Sequence, residues 1–232
     1  MARAPALVLL PGFMADASLW DGVVEALGDA VPIVHADLTR DDAIPAMAER
    51  IVAEVSEPFV AVGFSMGGYV AREAARIAPD RVRGLVLVAT SARDETPERA
   101  RLRRAGAERV AAGRFAGLSR ATVAASLHPD READEGLIAR VRGMGARLGG
   151  AVFVRQSRLP RPGDLDRLGA IACPTLVVAA AQDRVRSLAE SEDLRDRIPG
   201  ASLRVIEGSG HMLPIEAPAA LAATLRPWLA AL

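Results

Sequence analysis

The chain has 232 residues, 50% of them hydrophobic and 25% charged. That balance fits one globular domain with a sizeable core and excludes an intrinsically disordered polymer. Its formal net charge is +0, with all 29 basic residues arginine, so no overall field draws it to nucleic acid or to an anionic membrane. The single Cys173 excludes an internal disulfide, and no apolar run approaches the ~18 residues of a membrane span.

Arg3, the apolar stretch Ala6–Leu10 and the triplet Ala15-Asp16-Ala17 faintly imitate a signal peptide. The apolar stretch is short and Pro11-Gly12 breaks it, so it reads as a first core strand of a cytoplasmic protein. Leu19, Val23, Val24 and Leu27 then recur at helical spacing behind Ser18, a candidate N-cap. Further apolar runs at Val31–His35, Phe59–Phe64, Gly84–Thr90, Thr175–Ala180 and Ser202–Ile206 read as strands two to six. Helical patterns at Ile44–Val55, Gly68–Ile77, Leu188–Ile198 and Ala219–Leu229 fill the gaps. Strands alternating with helices predict βαβ units and a mostly parallel sheet of about six strands, and near-continuous Val, Leu and Ile runs suit strands covered on both faces.

The stretch from about Asp94 to Asp166 differs. It is rich in arginine, carries scattered glycines and shows helical spacing without a strand pattern. It reads as a small helical cap, residues 95–165, inserted into a core made of residues 1–94 and 166–232. Leu102, Val110, Phe115, Leu118 and Val123 are expected to pack down on the sheet and narrow a pocket. Cys173 sits just before an apolar run and reads as a buried, inert thiol.

The strongest motif is Gly63-Phe64-Ser65-Met66-Gly67-Gly68, which fits G-x-S-x-G between a strand and a helix. In that setting the serine occupies a strained turn, and glycines on either side remove side chains that would collide. The hydroxyl then stands clear of the sheet. The Met66 N–H and the helix dipole face the same space. No lysine follows the glycines, which excludes a Walker-type phosphate loop.

A serine hydroxyl needs a base, and the base needs an anion to orient it. Of the three histidines, His211 lies in the glycine-flanked loop Gly208-Ser209-Gly210-His211-Met212 after the sixth strand, and is the candidate base. His35 ends the second strand and reads as structural. His128, before Pro129, reads as a surface residue with a pocket position as the alternative. Asp183, just past the fifth strand, is the candidate acid; Asp94 is its main rival, with Asp37 and Asp166 behind. Acyl transfer also calls for two fixed donors to the developing oxyanion. Met66 N–H is one candidate. Phe13 N–H is the other, in the loop Leu10-Pro11-Gly12-Phe13-Met14. Gly12, Met14, Phe64 and Met212 are candidate pocket residues.

Together these residues resemble the α/β-hydrolase superfamily, and within it the small serine esterases related to pimeloyl-ACP methyl ester esterase. The resemblance is carried by Leu9-Leu10-Pro11-Gly12-Phe13, by the serine motif, by Cys173-Pro174-Thr175-Leu176-Val177-Val178 leading to Asp183, and by Gly210-His211-Met212 with Glu216-Ala217-Pro218. Pro11-Gly12 stands where the family often has His-Gly. The resemblance implies a Ser65–Asp183–His211 triad that cleaves a carboxylic ester through an acyl-enzyme, with no metal or organic cofactor. It also implies a small or medium acyl substrate. Between Pro97 and Arg120, seven arginines (99, 101, 103, 104, 109, 114, 120) face two glutamates. In the resembling esterases cap arginines hold an acyl carrier, so an acyl-ACP or acyl-CoA partner is one reading of this stretch, and a solvated helix face in an arginine-biased sequence is the other. Two alternatives stay open. One is different chemistry on the same triad: thioester, lactone or carbon–carbon bond hydrolysis, perhydrolysis or cyanohydrin cleavage. The other is a non-catalytic small-molecule receptor of the same fold.

Overall fold

Six parallel strands form one sheet in a computed structural model that describes residues 5–28, 31–111, 113, 115 and 117–232. Arg3 and Arg114 lie outside those residues. The strands are β1 (Ala6–Leu10), β2 (Ile33–His35), β3 (Phe59–Phe64), β4 (Val82–Val88), β5 (Thr175–Ala180) and β6 (Ser202–Ile206), in the spatial order β2-β1-β3-β4-β5-β6. The chain leaves β1 in one direction to make β2 and returns in the other to make β3. The crevice between the carboxyl ends of β1 and β3 is therefore the topological switch point, where ligands bind in open α/β sheets.

The alternation within the strands sorts their side chains into two apolar layers. Leu7, Leu9, Val60, Val62, Val86, Val88, Leu176 and Val178 face a layer shared with α1 (Asp21–Leu27) and, near the carboxyl terminus, α8 (Pro218–Leu229). Val8, Leu10, Ala61, Leu85, Leu87 and Val177 face a layer shared with α2 (Ile44–Glu54), α3 (Met66–Ile77) and α7 (Leu188–Arg197). All of β3 is buried. The edge strand β2 exposes Val34 and His35, consistent with its short length.

Between β4 and β5 the chain is helical: α4 (Pro97–Ala111), α5 (Arg120–Ala124) and α6 (Glu135–Arg158). Gly149, at φ 80°, kinks α6 in the middle. Val123, Ile138, Val141 and Met144 join the sheet layer that holds α1. Leu118 packs against the same layer, and Phe115 packs on Phe153 of α6 with ring centroids 4.9 Å apart. Leu102 does not pack down as expected; it is 59% exposed on the outer face of α4. Among the described residues no helix is long and apolar enough to cross a membrane.

Three of the boundaries that differ from the sequence reading do so for a local reason. The first helix is preceded by a 3₁₀ turn, Ala17–Trp20, capped by the Asp16 carboxylate rather than by Ser18. The strand β4 begins at Val82, because Val82 pairs with Phe59 across a register irregularity, and ends before Ala89, whose φ is +46°. The helix α3 begins at Met66, two residues earlier than glycine-averse propensities suggest.

Candidate active site

At the end of β3 the chain reverses into α3 through Ser65, a non-glycine residue at φ 50° and ψ −109°. That conformation is strained, and its surroundings over-determine it. Ser65 N–H donates to the Val88 carbonyl at 2.9 Å, and Thr90 Oγ1 donates to the Ser65 carbonyl at 2.7 Å. A Cβ on Gly67 would run into the carbonyl oxygens of Leu10 and Pro11. The glycine is thus required by the close approach of β1's outgoing loop, not by its own dihedral angles. The same approach brings the two loops of the switch point together.

Two loops at the far side of the sheet complete the cluster. His211 Nε2 lies 3.0 Å from Ser65 Oγ, and His211 Nδ1 lies 2.8 Å from Asp183 Oδ2. The other carboxylate oxygen, Oδ1, accepts the N–H groups of Val185 at 2.7 Å and Arg186 at 2.9 Å, which fixes its plane. Gln182 ties the two loops to each other: its Oε1 accepts the N–H groups of Gly208 and Ser209. The histidine loop is also clamped from the helical segment. His211 N–H donates to the Ser126 carbonyl at 2.8 Å, and a Cβ on Gly210 would strike the backbone of Leu127 and His128. Beneath the imidazole lies the Phe64 ring, at 5.2 Å between centroids.

Glu216 binds this arrangement from below. Its carboxylate accepts Gly210 N–H at 3.1 Å and His128 N–H at 2.7 Å, so one buried side chain joins the histidine loop to the helical segment. Burial pushes the Glu216 carboxyl above its usual range, and those two N–H groups with Arg131 offset part of the rise.

The loop after β1 approaches from the opposite side. Phe13 N–H and Met66 N–H have no hydrogen-bond partner among the described residues, as expected of a loop amide and the first amide of a helix. The next residue, Met14, is held at φ 53°. Its N–H donates 2.9 Å to Oε1 of Gln156, a fully buried side chain of α6, whose Nε2 donates 3.1 Å to the Leu38 carbonyl. Gln156 therefore sets the loop that carries Phe13. Arg161, three residues past α6, reaches the same place: its guanidinium carbon is 5.4 Å from the Phe13 ring centroid, and its Nη2 is 3.7 Å from Met66 Sδ. Neither Gln156 nor Arg161 carries a local sequence signal, since Met14, Phe13 and Met66, the residues they reach at this site, lie 95 to 148 residues away.

The remaining sequence candidates fall elsewhere. Asp94 is exposed and accepts Gly163 N–H at 2.7 Å. Asp37 closes a turn on Thr39 N–H at 2.9 Å, and its carboxyl sits below the usual range; burial opposes that shift, and the hydrogen bonds from Thr39 with Arg40 and Arg50 nearby produce it. Asp166 is exposed, as is His35 on β2. His128 is partly buried rather than a surface residue, and its Nδ1 caps the turn Pro129–Arg131 by accepting Asp130 N–H. Gly12, Met14, Phe64 and Met212 are all buried around the cluster, whereas Phe13 and Ser65 are partly exposed. Cys173 is partly rather than fully buried, and its burial pushes the thiol up, away from reactivity. Of the α4 arginines, Arg103 is already committed, paired with Glu95 at 2.5 Å and bonded to the Ser157 carbonyl. Arg99, Arg101, Arg104 and Arg109 are exposed.

A buried ion pair pins the end of the helical segment to the helix behind Ser65. Asp164 accepts Arg72 Nε at 3.0 Å, Arg72 Nη2 at 2.8 Å and Arg76 Nη1 at 2.9 Å, while Arg72 also donates 2.9 Å to the Ser91 carbonyl.

Comparison with known proteins agrees with this architecture. The model of an alpha/beta hydrolase family matches residues 7–224. A pimeloyl-[acyl-carrier protein] methyl ester esterase of Nitrosomonas europaea is 38% identical over 38% of this chain and 38% of its own. One from Neisseria meningitidis serogroup B is 28% identical over 95% of this chain and 91% of its own. The chain thus aligns with well under two thirds of the Nitrosomonas protein and with nearly all of the Neisseria one. Among solved structures, a thermophilic esterase from Thermogutta terrifontis superposes with a TM-score of 0.85 at 28% identity, covering 99% of this chain and 90% of its own. A hydrolase from Pseudomonas aeruginosa superposes with the same TM-score of 0.85 at 22% identity, covering 99% and 91%.

Proposed function

The chain belongs to the alpha/beta hydrolase family, and from that premise we propose that it is a serine carboxylesterase with Ser65 as nucleophile, His211 as base and Asp183 as the anion that orients it. The observation that carries this reading is the unbroken relay from Asp183 Oδ2 through the imidazole to Ser65 Oγ, at 2.8 Å and 3.0 Å. Both contacts lie within hydrogen-bond reach, and the one to Ser65 is the one along which the proton moves. Ser65 Oγ attacks the acyl carbonyl as His211 Nε2 takes its proton. The imidazolium is stabilised by Asp183, whose second oxygen stays bound to two backbone amides. The free N–H groups of Phe13 and Met66 hold the oxyanion. His211 then gives the proton to the leaving alcohol. Water enters, the same histidine removes its proton, and the acid is released from Ser65.

Helices α4, α5 and α6 form the cap of this site, and residues 95–165 are its boundary in sequence. Gly12, Met14, Phe64 and Met212 are buried around Ser65, and we read them as the lining of a pocket for small or medium acyl groups. Relatives named for an acyl-carrier-protein methyl ester support a carrier-linked substrate, for which Arg99, Arg101, Arg104 and Arg109, rather than Arg103, are the available cations. The test is hydrolysis of short p-nitrophenyl esters by the wild type and by Ser65→Ala, with fluorophosphonate labelling of Ser65. Labelling without turnover of any ester would reject the esterase reading in favour of a receptor or of different chemistry on the same residues.

A further inference from the structure

Arg161 presents a positive charge to the Phe13 and Met66 side chains and has no ion-pair partner among the described residues. Its Nη2 donates to the Gln156 carbonyl at 3.1 Å and touches Met66 Sδ, while its Nε is buried without any partner. It takes part in none of the ion pairs among the described residues. The acid nearby, Glu95, is already held by two nitrogens of Arg103. Burial, with Arg103 and Arg186 close enough to oppose its charge, brings the Arg161 guanidinium down to about 10.

A desolvated cation with no carboxylate partner is costly to keep, unlike Arg72 and Arg186, whose unpartnered nitrogens belong to guanidiniums already paired with carboxylates. A neutral amide or a lysine could serve the Gln156 carbonyl equally well. The guanidinium instead lies over the Phe13 ring and against Met66, whose backbone amides are the proposed oxyanion donors. Its charge therefore lies against the side chains of both residues proposed to supply the oxyanion donors. A planar fork of N–H groups matches a carboxylate in shape and charge, and the aromatic face below holds the fork in place.

We infer that Arg161 anchors a free carboxylate carried by the ester itself, so that half-esters of short dicarboxylic acids are preferred over diesters of the same acids, a preference separate from any carrier docking on α4. This rests on the serine-esterase reading for turnover but not for binding. The anion arrives with the substrate and completes the pairing that Arg161 lacks.

The test compares monomethyl glutarate with dimethyl glutarate, the same skeleton with the charge masked. The wild type is expected to favour the half-ester by about tenfold or more in kcat/KM, the worth of one charge-assisted hydrogen-bonded contact. Arg161→Met removes that preference and Arg161→Lys keeps part of it. Glutarate itself, titrated calorimetrically, binds the wild type and not Arg161→Met. A wild type that favours the diester, or a preference that survives in Arg161→Met, overturns the inference. If neither ester is turned over, the esterase reading fails, and glutarate binding alone decides this one. If Arg161→Met loses its native circular dichroism, the wild-type ratio and the Arg161→Lys titration decide it.

Discussion

The rim of the sheet and the helical segment above it meet at Ser65, and they hold their side chains by different means. At the rim, backbone presses on backbone: Gly67 sits under the carbonyls of Leu10 and Pro11, and Gly210 sits against Leu127 and His128. In the helical segment, single polar side chains reach across the fold: Gln156 to Met14 and Leu38, Asp164 to Arg72 and Arg76, and Arg161 to Met66. Contact packing of the first kind tolerates no added atom. Polar bracing of the second kind tolerates added atoms but not a lost partner. The difference predicts that damage at the rim abolishes chemistry outright, while damage above it trades stability and rate by degrees.

The largest effects therefore belong to the rim. Ser65→Ala is expected to lower kcat for a p-nitrophenyl ester by about ten-thousand-fold or more, with little change in the urea midpoint. His211→Ala should match it, because the two act as a unit and their losses do not add. A Ser65→Ala enzyme with appreciable turnover would break the comparison at its strongest point.

Next comes the ion pair that ends the helical segment. Asp164→Ala leaves Arg72 buried and unpaired, and is expected to cost about 3–5 kcal/mol in urea unfolding. The surviving folded fraction should keep most of its activity, since Asp164 touches no reacting group. A midpoint shift within error would mean that water replaces the carboxylate and that the segment is not pinned there.

Gln156 lies between those extremes. Gln156→Leu fills the space but leaves Met14 N–H and the Leu38 carbonyl unpaired in the interior. The Phe13 amide should lose its aim. The expected result is a drop of roughly tenfold in kcat, smaller than the loss of an oxyanion donor itself, with KM changed much less. An equal rise in KM with kcat intact would assign Gln156 to substrate binding instead.

The same contrast decides what could be read from the chain beforehand. The rim announces itself: the glycines of Gly63-Phe64-Ser65-Met66-Gly67 and of Gly208-Ser209-Gly210-His211 are written next to the residues they serve, because a close approach must be permitted locally. Continuous apolar runs likewise mark β1, β3, β5 and β6 to the residue. The polar braces have no such mark. Gln156 and Met14 are 142 residues apart, and a glutamine on a helix reads as a solvated face until the partner is in place. Leu102 fails in the opposite sense: its spacing suited a buried face, but α4 turns it outward, 59% exposed. Propensity also misplaced the start of α3, where packing under Leu10 and Pro11 outweighs the helix cost of glycine.

Glu216 belongs to both regions and gives the smallest effect. Its carboxylate ties Gly210 of the rim to His128 of the helical segment, and burial raises its pKa above the ordinary glutamate range. A raised native pKa means that the folded chain holds the proton more tightly than the unfolded chain does. The stability linked to that proton is full below the ordinary glutamate range and is lost as pH rises through the native value. Glu216→Gln keeps a neutral group at every pH. The wild type should therefore lose stability relative to Glu216→Gln as pH rises from the ordinary glutamate range through the raised native value, measured by urea midpoints across that range. A difference that stays flat would show that the two backbone N–H groups fully offset the burial, and that the tie between the regions carries no proton linkage.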